Sequence, residues 1–149
     1  MKDADRKLLQ ELAGAWRLVT SEFRTTSGEV IYPLGENAQG TFILAGSGHM
    51  SAQLTAPDRA PFASGDPRGG TGAEIAAAFG SYTAYYGTVE LDTAAKTFVT
   101  HVEGSLFPNW VGGDQLRYYE FNADRLILRT PPFDSAGVTF VGVLEWQRC

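Results

Sequence analysis

The chain of 149 residues is 44% hydrophobic and 19% charged with a formal net charge of −5, the size and balance of one globular domain, residues 1–149, that buries about 68–70% of its unfolded surface. No basic run offsets the acidic balance, which argues against nucleic acid as a partner. No stretch approaches the roughly 18 consecutive apolar residues of a membrane span, and two histidines with a single terminal Cys149 give neither a disulfide framework nor the spacing of a Cys/His metal site.

The first residues, Met1 to Lys7, lack the apolar core of a signal peptide, so a cytoplasmic protein is expected. Asp3 or Asp5 can cap a short helix whose Leu8, Leu9 and Leu12 form one apolar stripe, ended by Gly14. Trp16 to Phe23 then reads as a first strand, with Trp16, Leu18, Thr20 and Glu22 on one face. After the turn at Thr26–Gly28 and an irregular extended piece from Val30 to Gly35, Gln39–Ala45 and His49–Leu54 read as strands joined by the tight turn Gly46–Gly48.

From Thr55 to Gly72 the composition changes: Pro57, Pro61 and Pro67 alternate with glycines and little apolar pattern remains. A loop this long is usually functional or mobile, and a flap over a barrel mouth is expected here. Thr71 and Glu74 have the spacing of a capping box, which starts a second short helix through Ile75 and Phe79 that Gly80 stops. Four more strands follow: Tyr82–Asp92, Phe98–Glu103, Gln115–Phe121 and Leu126–Thr130. Val138–Arg148 is the last, after the break at Pro131 and Pro132. Eight strands with mostly tight turns predict an all-β, antiparallel sandwich or barrel, and eight is also the number that lets a closed barrel hold one small ligand.

The stretch from Phe98 to Tyr119 concentrates the polar chemistry. Val99, His101 and Glu103 share one face of their strand; Gln115, Arg117, Tyr119 and Phe121 share one face of the next. Pairing of the two strands would bring an imidazole, a carboxylate, a guanidinium and an amide to one surface, with Phe107 and Trp110 at its rim. Buried charge is costly unless paired or wetted. The set is therefore either a structural Arg–Glu pair with a satisfied histidine, or the polar part of a ligand cavity.

Several motifs together resemble the bacterial and fungal lipocalin-like domain family. They are Gly14-x-Trp16 with Leu144-x-Trp146-x-Arg148, Tyr32-Pro-Leu-Gly35, Gly48-x-Met50-Ser51-x-Gln53, Tyr82-x-Ala84-Tyr85-x-Gly87, His101-Val-Glu103, Phe107-Pro-Asn-Trp110-x-Gly112 and Gln115-x-Arg117. The resemblance implies a single eight-stranded antiparallel barrel with a short N-terminal helix and one short helix in mid-chain. Trp16 would close its base under Arg148 in a cation–π contact. It also implies an interior polar set of His101, Glu103, Gln115 and Arg117. Members often accompany secondary-metabolite pathways, and the resemblance transfers no mechanism.

Two functions are compatible with this reading. One is a carrier or sequestering protein for a small hydrophobic or aromatic molecule. The other is a cofactor-free isomerase, cyclase or dehydratase acting on a polyketide-like substrate, with His101 as acid/base, Arg117 as electrostatic partner and Glu103 orienting the imidazole. Arg117 could instead neutralise Glu103 or Glu90. Ligand contacts are expected from Gln53, Met50, Tyr82, Tyr85, Gln115, Trp110 and Phe107, with His101 and Arg117 both pointing inward. No Gly-x-Ser-x-Gly, dinucleotide or Walker motif is present, so no hydrolase nucleophile, cofactor or metal is expected. The protein is expected to be a monomer or homodimer.

Overall fold

A computed structural model describes all of residues 1–149 and gives the expected eight-stranded antiparallel barrel. In chain order the elements are helix α1 (Asp3–Leu12), β1 (Gly14–Thr25), β2 (Val30–Ile31), β3 (Gln39–Leu44), β4 (His49–Thr55) and helix α2 (Gly72–Gly80). Then come β5 (Tyr82–Asp92), β6 (Thr97–Ser105), a single 3-10 turn (Pro108–Trp110), β7 (Asp114–Asn122), β8 (Arg125–Arg129), β9 (Phe133–Ser135) and β10 (Val138–Arg148). The barrel runs β1-β3-β4-β5-β6-β7-β8-β10 and closes where β10 pairs back on β1, while β2 and β9 are short ribbons on its margin. No helix is long and apolar enough to cross a membrane.

Closure is built on two residues that the register places opposite each other, Trp16 and Arg148. The indole is fully buried. Its N–H donates to Leu12 O at 2.9 Å, and the Arg148 guanidinium lies 4.3 Å from the ring centre. Arg148 also donates to Glu11 O at 2.7 Å, binding the end of α1 to the last strand. At the other end of α1, Asp5 accepts from the backbone of Lys2 at 3.1 Å and from both the N–H and hydroxyl of Thr93, at 2.9 and 2.8 Å. Asp5, not Asp3, is the useful acid, and it acts from inside the first turn with Lys2 preceding the helix. With Leu9 and Leu12 buried beneath it, α1 plugs one end of the barrel.

Two irregularities decide which side chains face inward. Between Leu18 and Thr20 the β1–β10 register slips by one, so Val19 bulges outward. A one-residue slip exchanges the two faces of a strand. The inward set is therefore Trp16 and Leu18 and then Ser21 and Phe23, and the expected placement of Thr20 and Glu22 beside Trp16 is corrected by this bulge. A second slip falls between Tyr86 and Gly87, where Glu103 of β6 is left unpaired. Gly87 is required there because any Cβ would run into the carbonyl of His101.

The long segment after β4 is tied to α2. Thr71 and Glu74 form the expected capping box, at 3.1 and 2.9 Å, and the other Glu74 oxygen accepts from Ala63 N at 2.9 Å. Arg59 reaches the far end of α2, donating to Ala78 O and Ser81 Oγ at 2.9 Å each, and covers the Tyr82 ring. Helix α2 buries none of its side chains, so these polar clips hold the segment in place rather than an apolar face.

Candidate functional site

The barrel contains a cavity of about 260 Å³ at the end away from α1. Its wall combines Phe23 and Leu144 with Leu54, Thr83 and Tyr85, and Pro33, Leu34, Gly80 and Trp110 surround the mouth. The lining is mostly apolar with a few hydroxyls and, on β7, the guanidinium of Arg117, the composition usual for small-molecule sites. None of residues 55–72 lines it, so the expected flap does not border this mouth, which α2 reaches through Gly80.

Arg117 faces inward because the alternation of β7 puts it on the side of the buried Tyr119. One terminal nitrogen donates to Leu116 O at 2.8 Å and the other to Gln115 Oε1 at 3.1 Å. Its Nε is buried without an acceptor, and no carboxylate pairs with it. Tyr85 faces the same cavity and meets Trp110 edge to face at 5.6 Å. Burial pushes the Tyr85 phenol above its ordinary range and the nearby Arg117 charge pulls the other way, so the hydroxyl stays protonated and able to donate. Glu22 borders the cavity from β1 with its side chain on the outer face, beside Thr20 and Arg24. Its carboxylate is engaged by Arg24 at 2.7 Å and Thr20 at 3.2 Å.

His101 does not reach this cavity, which corrects its expected inward placement. On β6 the buried side chains are Phe98, Thr100 and Val102, each no more than 3% exposed. Phe98 pairs with Arg117 across the ladder, whereas His101 pairs with Asp114. Directly opposed residues share a face, so the register puts Arg117 inside and His101 outside. There the imidazole lies between Asp114 (Nδ1 to Oδ1, 2.7 Å) and Glu90 (Nε2 to Oε2, 3.2 Å). The Asp114 hydrogen bond first, and then the Glu90 one, hold its pKa above the ordinary imidazole value. Glu103 is exposed at the bulge and enters no ion pair with His101 or Arg117.

The other expected contacts divide by strand parity. Gln53 and Tyr82 are on the outer surface, the phenol donating to the Gln53 amide oxygen, so the expectation that they line the inner pocket is corrected too. Met50 is buried in the core and does not border the cavity. Gln115 acts behind Arg117 by holding one arm of the guanidinium. Phe107 sits outside the lip, edge-on to Trp110 at 5.6 Å, in a shallow apolar groove with Phe79 and Leu106 that shares Gly80, Thr83 and Trp110 with the cavity wall. Sequence reasoning missed Thr83 and Ser21. Thr83 has the parity of Tyr85 and was within reach of the alternation rule, but the Val19 bulge hides Ser21.

A family profile described as a lipocalin-like domain matches residues 13–149. A 4'-hydroxy-3'-methoxypropiophenone carrier protein of Aspergillus oryzae is 31% identical over 106 residues, covering 66% of this chain and 96% of that relative. The family match reaches from the end of α1 through the closing strand β10, and the chain belongs to the lipocalin-like domain family.

Proposed function

We propose that this barrel is a carrier that takes one small, largely apolar aromatic molecule into the cavity beneath Trp110, with Arg117 and Tyr85 fixing its polar end. The observation that supports this is a guanidinium without a carboxylate partner in the wall of a mainly apolar cavity. A fixed donor in such a place costs stability unless something accepts from it. The volume suits a single substituted ring, since a cavity of about 150 Å³ is enough for benzene. The Aspergillus relative is named for carrying a ring of that class. Acid–base conversion is the weaker reading. It required His101 beside the ligand, and that imidazole is on the opposite face of β6, held by Asp114 and Glu90.

Titration with substituted phenyl ketones, followed by the fluorescence of the cavity tryptophan Trp110, tests the proposal. Thr83→Phe puts a ring into the cavity space and should abolish binding while the circular dichroism spectrum stays that of the parent. Unchanged affinity in a folded Thr83→Phe protein would exclude this cavity as the site. Chemical change of a bound ketone on prolonged incubation would instead favour catalysis.

A further inference from the structure

Arg117 and Glu22 are the charged residues that border the cavity; only Arg117 turns its side chain inward, and only Glu22 has a charged partner. Glu22 has Arg24 at 2.7 Å. Arg117 has a backbone carbonyl and an amide oxygen, both neutral, and its Nε has nothing. Neutral acceptors orient a guanidinium but leave its charge uncompensated, and a partly buried cation draws an anion or a strong acceptor to itself. Tyr85 adds a neutral hydroxyl to the same cavity. One fixed charge and one neutral donor around apolar walls are the parts of an anion-stabilising site.

Resting on the carrier reading above, we propose that Arg117 and Tyr85 form an oxyanion subsite. On this proposal the cargo is a single aromatic ring carrying an acidic hydroxyl, bound as the phenolate with its proton passed to solvent. The walls accept the ring by burial and without charge preference; the subsite selects the ionised oxygen. A neutral ether of the same shape can accept a hydrogen bond but leaves the charge of Arg117 uncompensated, so selectivity between phenol and ether isolates the subsite from the cavity. A fixed cation within about 4–6 Å lowers the pKa of an acid by roughly one to three. Burial opposes this and prevails at Tyr85, which makes no hydrogen bond to the guanidinium. An oxygen seated directly on Arg117 gains the charge-assisted hydrogen bonds that Tyr85 lacks, so binding should ionise the phenol at a pH where it is mostly neutral in water. The opposing groups are few. Glu22 is neutralised by Arg24, and Tyr85 remains protonated.

The probe is 4-nitrophenol, whose phenolate absorbs at longer wavelength than the phenol, compared with 4-nitroanisole, its neutral methyl ether. Both are titrated with the full chain at a pH about one below the phenol's own pKa, where roughly a tenth of the free compound is ionised. The wild-type protein should bring up the phenolate band and bind the phenol at least about tenfold more tightly than the ether, about 1.4 kcal/mol. Arg117→Met should abolish the band and the preference while still binding the ether. Should Arg117→Met not fold, Tyr85→Phe keeps the test open, with a weakened band and a smaller preference for the phenol over the ether. Equal affinities for phenol and ether without the band in wild-type protein would overturn the oxyanion subsite and leave the carrier reading standing. Failure of both compounds, and of the phenyl ketones, to bind would overturn both.

Discussion

His101 shows what a single residue contributes once its face is known. Held by Asp114 at 2.7 Å and Glu90 at 3.2 Å, it joins β6 to both neighbouring strands, β7 and β5. Its folded-state pKa is raised, chiefly by the Asp114 hydrogen bond and then by Glu90. A raised pKa means that the staple contributes fully below the unfolded value, near 6.5, and is lost as pH rises through the folded value. The side chain is 43% exposed, so solvent screens the pair, and the contribution belongs with surface ion pairs at no more than about 1 kcal/mol. His101→Gln should therefore lower stability to urea in mildly acidic buffer, with the gap from wild type closing in alkaline buffer and narrowing in high salt. A gap that ignores pH would mean that the ring acts by packing alone. Ligand affinity should not change in the folded variant, because the imidazole is outside the barrel.

Among the elements, the helices and most strands follow from local pattern, and the misplacements come from what local pattern does not encode. Thr71 and Glu74 announced the start of α2, and the alternation of β7 put Arg117 on the inner face. The alternation of β6 was equally visible, with Phe98 and Val102 the more apolar choice for the core. The polar chemistry of His101 and Glu103 points the opposite way from that apolar contrast, and the contrast prevails. The pairing of Phe98 with Arg117 is a property of the hairpin and its inserted 3-10 turn, and nothing in either strand alone specifies it. The Val19 bulge was likewise invisible, since an extra outward residue leaves no mark on composition. Two predictions belong at this scale. Asp5 anchors α1 to the β5–β6 turn, and hydrogen bonds from the backbone and hydroxyl of Thr93 hold its carboxyl below the ordinary range. A lowered pKa gives stability that is present above the unfolded value near 3.9 and lost as pH falls through the folded one. Asp5→Ala should thus be less stable than wild type at neutral pH, with the difference shrinking on acidification; a constant difference would refute the anchor. The segment before α2 rests on polar clips from Arg59 and Glu74, so limited proteolysis should cut first between Phe62 and Gly70, and faster in Arg59→Ala. First cleavage in any barrel turn would refute that order of stabilities.

At the scale of the whole molecule, the barrel separates the work of closing from the work of binding along its axis. Trp16, Arg148 and α1 seal one end, whereas Arg117, Tyr85 and Trp110 belong to the other. Along β1, Phe23 of the cavity wall lies seven residue steps beyond Trp16, about 23 Å at the usual rise per residue. Sites so far apart with no shared partner are energetically independent to within a few tenths of a kcal/mol. Trp16→Ala empties a fully buried indole site and removes the platform for Arg148, at a cost of about 3–5 kcal/mol. Since that is a large share of an ordinary domain's stability, Trp16→Phe is the companion variant, keeping a ring under the guanidinium while losing the 2.9 Å hydrogen bond to Leu12 O. Trp16→Phe should unfold at lower urea than wild type and bind the phenyl ketone with unchanged affinity on its folded fraction. Thr83→Phe should do the reverse, folding like wild type and failing to bind. A Trp16→Phe protein that is folded yet has lost the ligand would show that the base plug and the cavity are coupled through the barrel wall, and the separation would have to be abandoned.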